Sequence, residues 1–228
     1  MEFTGKNVLV IGGSGALGSE LVRQLTALGA SVMATARNAE TASRIPNEAS
    51  VKLLLDLESP ESIKTLTDYL LNLNQPIHGI INAAGVVGFA KATETSPQDA
   101  AKLMQINNLG PAAIISALHP LLALDKEAGV FVAGITGVVS EKVFPGMSAY
   151  TVSKTAHASY LATITQEFRR DKIQVTDAKP GHTETGLASR AIFGTAPAFP
   201  EGMTASHVVK VLLEGIKEGK SVISSTDF

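Results

Sequence analysis

Short apolar, β-branched runs separated by stretches of helical length constrain this chain more than any other feature. The runs fall at 7–11, 31–35, 51–55, 78–82, 129–135 and 173–178. Helix-like stretches occupy 19–28, 60–71, 97–124 (interrupted near Gly110 and Pro111) and 149–170. Strands alternating with helices of this length predict βαβ units, and so a parallel sheet covered by helices on both faces. The runs are nearly unbroken in apolarity, as expected of strands buried on both sides. A further amphipathic helix is expected over 204–218 and a last strand over 221–225. With 228 residues, no repeat, and Pro and Gly spread evenly, the chain reads as one α/β domain, 1–228.

Composition narrows the partners. Lys and Arg total 19 against 21 Asp and Glu, a net charge of -2, so no general basic field exists to hold nucleic acid or an anionic membrane surface. An anionic ligand must be gripped locally. The chain has no cysteine, which excludes disulfides, thiolate metal sites and a cysteine nucleophile, and its five histidines lack metal-ligand spacing. No metal is therefore expected. The uncharged stretch 103–124 carries Gln105, Asn107, Asn108, Gly110, Pro111, His119 and Pro120, too much polarity for a lipid span. Glu2 ahead of a short apolar run does not read as a signal peptide, so a cytoplasmic location is expected.

In such a sheet ligands bind at the carboxyl ends of the strands. The first strand runs into Gly12-Gly13-Ser14-Gly15-Ala16-Leu17-Gly18 and then a helix. Glycines let the backbone turn sharply beside a pyrophosphate, and the helix N-terminus presents free N–H groups and a positive dipole end. Strand, glycine turn and helix in that order predict dinucleotide binding through Gly12, Ser14, Gly15, Leu17 and Gly18. An acid at the end of the second strand holds the ribose 2′-hydroxyl of NAD; here that place is Ala36, followed by Arg37. A guanidinium pairs a 2′-phosphate, so NADP(H) is expected over NAD(H).

These residues, with Asp56-Leu57, Asn82-Ala83-Ala84-Gly85, Asn107, Tyr150-x-x-x-Lys154 and Pro180-Gly181, resemble the short-chain dehydrogenase/reductase family from the first strand to about Thr185. The resemblance implies a Rossmann-type doubly wound domain with a mostly parallel sheet of about seven strands. It implies that Asp56 and Leu57 border the adenine, that Asn82, Ala83 and Gly85 pass the adenosine ribose, and that Pro180, Gly181, Thr183 and Thr185 meet the nicotinamide carboxamide and phosphates. Tyr150 would exchange a proton with the substrate oxygen, its phenol pKa lowered by Lys154 one helical turn away. Lys154 would also grip the nicotinamide ribose, and Asn107 would support a water-linked proton path to it.

Two departures stand out. Ile11 replaces the Thr that usually opens the turn, and Ala16 its middle Gly, while Gly15 supplies a glycine one place earlier, a spacing nearer the extended or atypical branches. The family's catalytic Ser, 13 residues before the Tyr, falls on Gly137. Thr136 is the expected substitute donor; the alternative is that Thr136 is only a strand-end threonine and the donor is missing.

Past Thr185, the segment 186–204 corresponds to the family's substrate lid. Leu187, Ile192, Phe193, Phe199 and Met203, with Val86, Val87 and Phe89, predict a mainly apolar pocket for a small-molecule carbonyl or alcohol substrate. His182 reads first as a turn residue, with polarisation of a substrate oxygen as its alternative role; Arg190 reads first as solvent-exposed. The apolar helices 111–124 and 149–170 predict a homodimer or homotetramer, by resemblance. The expected function is NADP(H)-dependent hydride transfer, catalysed by Tyr150, Lys154, Asn107 and Thr136. The alternatives are a weakly catalytic NADP-binding redox sensor or partner protein, and a dehydratase or isomerase on the same fold.

Overall fold

The structure, a computed structural model, describes residues 1–228. Seven parallel strands form one sheet: β1 (Asn7–Ile11), β2 (Ser31–Ala36), β3 (Val51–Leu54), β4 (Gly79–Asn82), β5 (Val130–Ile135), β6 (Ile173–Ala178) and β7 (Val222–Ile223). Their spatial order is β3-β2-β1-β4-β5-β6-β7, so the chain reverses its direction of travel across the sheet between β1 and β4. That switch point opens a crevice at the strands' carboxyl ends.

Seven helices cover the sheet: α1 (Ala16–Ala27), α2 (Ala39–Ala42), α3 (Pro60–Leu73), α4 (Pro97–Met104), α5 (Gly110–Leu122), α6 (Ser148–Glu167) and α7 (Ala205–Lys217). Two large apolar clusters lie on the two faces. One gathers Leu9, Ile11, Ile80 and Val132 with α3, α5 and α6; the other gathers Val8, Val10, Ile81 and Phe131 with α1 and α7. Alternate side chains of the same strands feed opposite layers, which is why the runs carry apolar residues at every position. Gly79 makes room for the Phe131 ring, which a Cβ there would meet at 2.3 Å.

Several expectations need adjustment. The interruption in 97–124 is a π-helical turn at Gln105–Leu109, after which Gly110 and Pro111 begin α5 without a gap in the helical path. Pro111 has no N–H to give to the preceding turn, and the π-helical stretch just before it is where the hydrogen-bond ladder changes register. The run at 51–55 is an edge strand whose Val51, Lys52 and Leu54 are exposed, so burial on both faces holds for the inner strands only. The expected last strand shrinks to Val222–Ile223, and α2, four residues long, was absent from the sequence pattern. No helix is long and apolar enough to cross a membrane.

Candidate active site

The β1–α1 turn is shaped by backbone crowding. A Cβ on Gly12 (φ +85°) would stand 2.8 Å from Ala84 N, and one on Gly18 would stand 2.0 Å from Gly12 O. Only glycine fits either place. Gly12 N–H donates to Thr35 Oγ1 at 3.0 Å, tying the turn to the end of β2. Gly15 caps α1 without any side-chain bond, as Leu109 and Met147 do α5 and α6, whereas Asn38, Ser59, Ser96 and Thr204 cap α2, α3, α4 and α7 with side chains. The uncapped end, with Gly15, Ala16 and Leu17 facing a cavity of about 410 Å³, fits the pyrophosphate of a dinucleotide. Arg37, immediately beyond β2, is exposed and pairs with no carboxylate.

The same cavity receives the two residues expected to carry chemistry. Tyr150 and Lys154 lie one turn apart on α6, both buried, and both line the cavity. The Tyr150 hydroxyl makes no hydrogen bond to the protein, while Lys154 Nζ donates to Ile135 O at 2.8 Å. Burial pushes the Tyr150 phenol up to about 12, opposite to the lowering expected from the ammonium. In this cavity desolvation dominates, so Tyr150 is a neutral phenol at ordinary pH. Burial also holds Lys154 down to about 8, against an opposing pull from Asp177.

Asn107 sits in the π-helical turn, fully buried. Its Oδ1 accepts from Val86 N–H at 2.9 Å, and its Nδ2 donates to Val86 O and Ser153 Oγ, both at 2.9 Å. The side chain is thus committed to the loop after β4 and to α6, and it reaches Lys154 only as a neighbour across Gly85. A Cβ on Gly85 would lie 3.3 Å from both Asn107 Oδ1 and Lys154 Nζ. Asn82 Oδ1 accepts from Ala84 N–H at 3.2 Å and fixes the turn that carries Ala83 and Gly85 to the cavity wall.

The expected donor behaves differently. Thr136 is fully buried; its hydroxyl donates to Asp177 Oδ1 at 2.6 Å and lies 2.9 Å from Ser140 Oγ. Those contacts direct it to β6, and no bond joins it to Tyr150. Gly137 takes φ +77° and ψ 166°, backbone that essentially only glycine adopts. Its N–H and that of Val138 are held by Ala178 O and Pro180 O. Thr136 lines the cavity, but its hydroxyl and that of Ser140 are both given to protein acceptors, so no hydroxyl of the loop after β5 is free to donate there. Asp177, the one charged residue of β6, is the residue that sequence reasoning missed, and its charge in that run was the available signal.

Of the remaining expected residues, Pro180, Gly181, Thr183 and Thr185 reach the cavity. Gly12, Ser14, Gly18, Arg37, Asp56, Leu57 and Asn82 lie outside its lining. Asp56 Oδ1 accepts from Glu58 N–H at 3.0 Å as a turn residue, and Leu57 is packed in the core. On the substrate side Val87, Phe89, Leu187 and Phe199 line the cavity as expected, joined by Val139, Phe144, Met147 and Arg190. Val86, Ile192, Phe193 and Met203 do not line it; they pack behind it or fasten the loop. The segment 186–204 is held over the cavity by Ile192 N–H to Val87 O and Phe89 N–H to Phe193 O, at 2.9 and 3.0 Å.

The model of the family described as short chain dehydrogenase matches residues 6–192. The chain belongs to the short-chain dehydrogenase family. Among its relatives is the dehydrogenase/reductase SDR family member 7B of Bos taurus, 29% identical over 198 residues, a match covering 81% of this chain. This chain spans about 60% of that curated relative's length. Two solved structures share the fold. A short chain dehydrogenase from Burkholderia cenocepacia J2315 in complex with NADP is 21% identical at a TM-score of 0.84, over 98% of this chain and 89% of the other. A short chain dehydrogenase/reductase from Burkholderia phymatum in complex with NAD is 20% identical at a TM-score of 0.87, over 99% and 90%.

Proposed function

We propose that this short-chain dehydrogenase is an NADP(H)-dependent oxidoreductase acting on a carbonyl or secondary alcohol of an apolar small molecule. The observation that carries the reading is the Tyr150 hydroxyl, free of protein partners and sharing one cavity with Lys154 and the uncapped glycine turn. When bound, the nicotinamide supplies or accepts the hydride. The protein's part is positional and electrostatic. Tyr150, a neutral phenol, is in the form that donates a proton to a carbonyl oxygen, and Lys154 places a positive charge beside the phenolate left behind. Gly15 to Leu17 hold the pyrophosphate; Pro180, Gly181, Thr183 and Thr185 hold the nicotinamide end.

The choice of NADP(H) rests on Arg37, since one structural neighbour contains NADP and another NAD. The segment 186–204 acts as the substrate lid, and Phe89, Phe144, Phe199 and Leu187 make the pocket apolar. Exposed Leu109 beside α5 and Val152 on α6 supply an apolar face for a homodimer or homotetramer. A second reading, an NADP-binding sensor with little catalysis, draws its support from the absent donor at Gly137.

Fluorescence titration with NADPH and NADH tests binding, and turnover of acetophenone, benzaldehyde and 2-octanone tests chemistry. The expected result is NADPH binding with ketone or aldehyde reduction. Arg37→Ala should weaken NADPH by about tenfold, the loss of one modest ion pair, and leave NADH nearly unchanged. Binding of neither nucleotide overturns both readings; binding without turnover leaves the sensor.

A further inference from the structure

The cavity lacks the hydroxyl donor that usually faces the reacting oxygen, and a different polar group stands beside the gap. Pro180 O would lie 3.6 Å from a Cβ on Gly137, so the 180–185 segment directly flanks the vacant position. Two residues on, His182 lines the same cavity as Tyr150. Its Nε2 lies 3.2 Å from Glu184 Oε1, and the same oxygen accepts Gly202 N–H at 2.8 Å. Its ring stacks on Phe199, with centroids 4.7 Å apart and planes at 18°. Nδ1 makes no bond to the protein. The ring is thus stacked on Phe199 with Nε2 beside the Glu184 carboxylate and Nδ1 without a protein partner.

We infer that His182 is a catalytic residue that replaces the missing hydroxyl, donating a hydrogen bond through Nδ1–H to the substrate oxygen that Tyr150 protonates. The inference rests on the oxidoreductase reading above. A ring N–H is a hydrogen-bond donor, so Nδ1–H does the work of the missing hydroxyl. His182 transfers no atom; the proton that reaches the oxygen is the phenolic one of Tyr150. Its contribution is the stabilisation of negative charge as it builds on that oxygen, which an oriented donor in a partly dry site supplies. The charged and titratable groups around it are Glu184 on its own segment, Tyr150 and Lys154 from α6, and Arg190 from the lid. No carboxylate lines the cavity to compete for Nδ1–H.

Packing and catalysis are separated by His182→Phe, which keeps an aromatic ring against Phe199 and removes the donor. With NADPH and the three carbonyl compounds named above, this variant should lose roughly 10²-fold in kcat, the scale of one oxyanion donor, with NADPH affinity and KM close to the parent's. His182→Gln, which keeps an uncharged N–H donor, should recover part of the loss. Parental kcat in His182→Phe overturns the inference while leaving the oxidoreductase reading intact. If His182→Phe fails to bind NADPH, the same comparison is made with His182→Ala, and parental kcat there overturns it equally. Absence of turnover in the parent overturns the reading and this inference with it.

Discussion

The two halves of the site treat glycine in opposite ways. In the nucleotide half, Gly12 and Gly18 are demanded by crowding: added Cβ atoms would collide with backbone at 2.8 and 2.0 Å. In the catalytic half, Gly137 has room, since a Cβ would meet only Pro180 O at 3.6 Å, but its φ of +77° suits no other residue. The first half is a rigid mould set by packed main chain. The second is a loop in which the Thr136 hydroxyl turns inward to Asp177. On the proposed reading the first half grips the nucleotide and the second surrounds the reacting oxygen, so binding and chemistry should respond separately to mutation.

The largest response should come from the mould. Gly18→Ala forces a methyl into Gly12 O, and overpacking against unyielding backbone should cost about 3 kcal/mol and abolish NADPH binding. Thermal denaturation with and without NADPH reads both; a stable variant that still binds would break the contrast. An intermediate response should come from pH. Lys154, held down to about 8, loses its charge above that value, whereas Tyr150 at about 12 stays a phenol. Carbonyl reduction needs both protonated, so kcat/KM should fall roughly tenfold per pH unit above about pH 8, the slope of one ionisation in the free enzyme. A profile flat to pH 10 would remove Lys154 from the mechanism. The smallest response should come from Gly137→Ser. The space exists, so the cost should be only the strain of a non-glycine residue in that backbone, about 1–3 kcal/mol, measured by denaturant melts, with no gain in kcat. A marked rise in kcat would mean that the loop readily accepts the usual serine.

Much of the architecture was legible because it follows from period and punctuation. Strand 173–178 and the 204–218 helix were each placed to within one residue, and the glycine turn leads into α1, although the helix begins at Ala16 rather than at Ser19. The π-helical turn was not legible, because it depends on Asn107 reaching Val86 and Ser153, 21 and 46 residues away. The exposure of β3 was hidden too: its apolar letters do not say that it closes the edge of the sheet. At the site, Tyr150, Lys154 and the small residues at 83–85 share one cavity, a grouping that only the family resemblance implied. The commitment of Thr136 escaped notice because its partner Asp177 lies 41 residues on, in a different strand. The role of His182 depended on Glu184 and on Phe199, whose ring returns to it from the far end of the lid.

The most direct test of the account is the rate of carbonyl-dependent NADPH oxidation by Tyr150→Phe beside the parent, at saturating NADPH. Removing one oxygen atom from a phenol that faces the cavity unbonded should leave NADPH affinity as it was and slow turnover by roughly 10³-fold, within the range of a lost general acid. A variant that turns over at the parental rate would contradict the account at its centre.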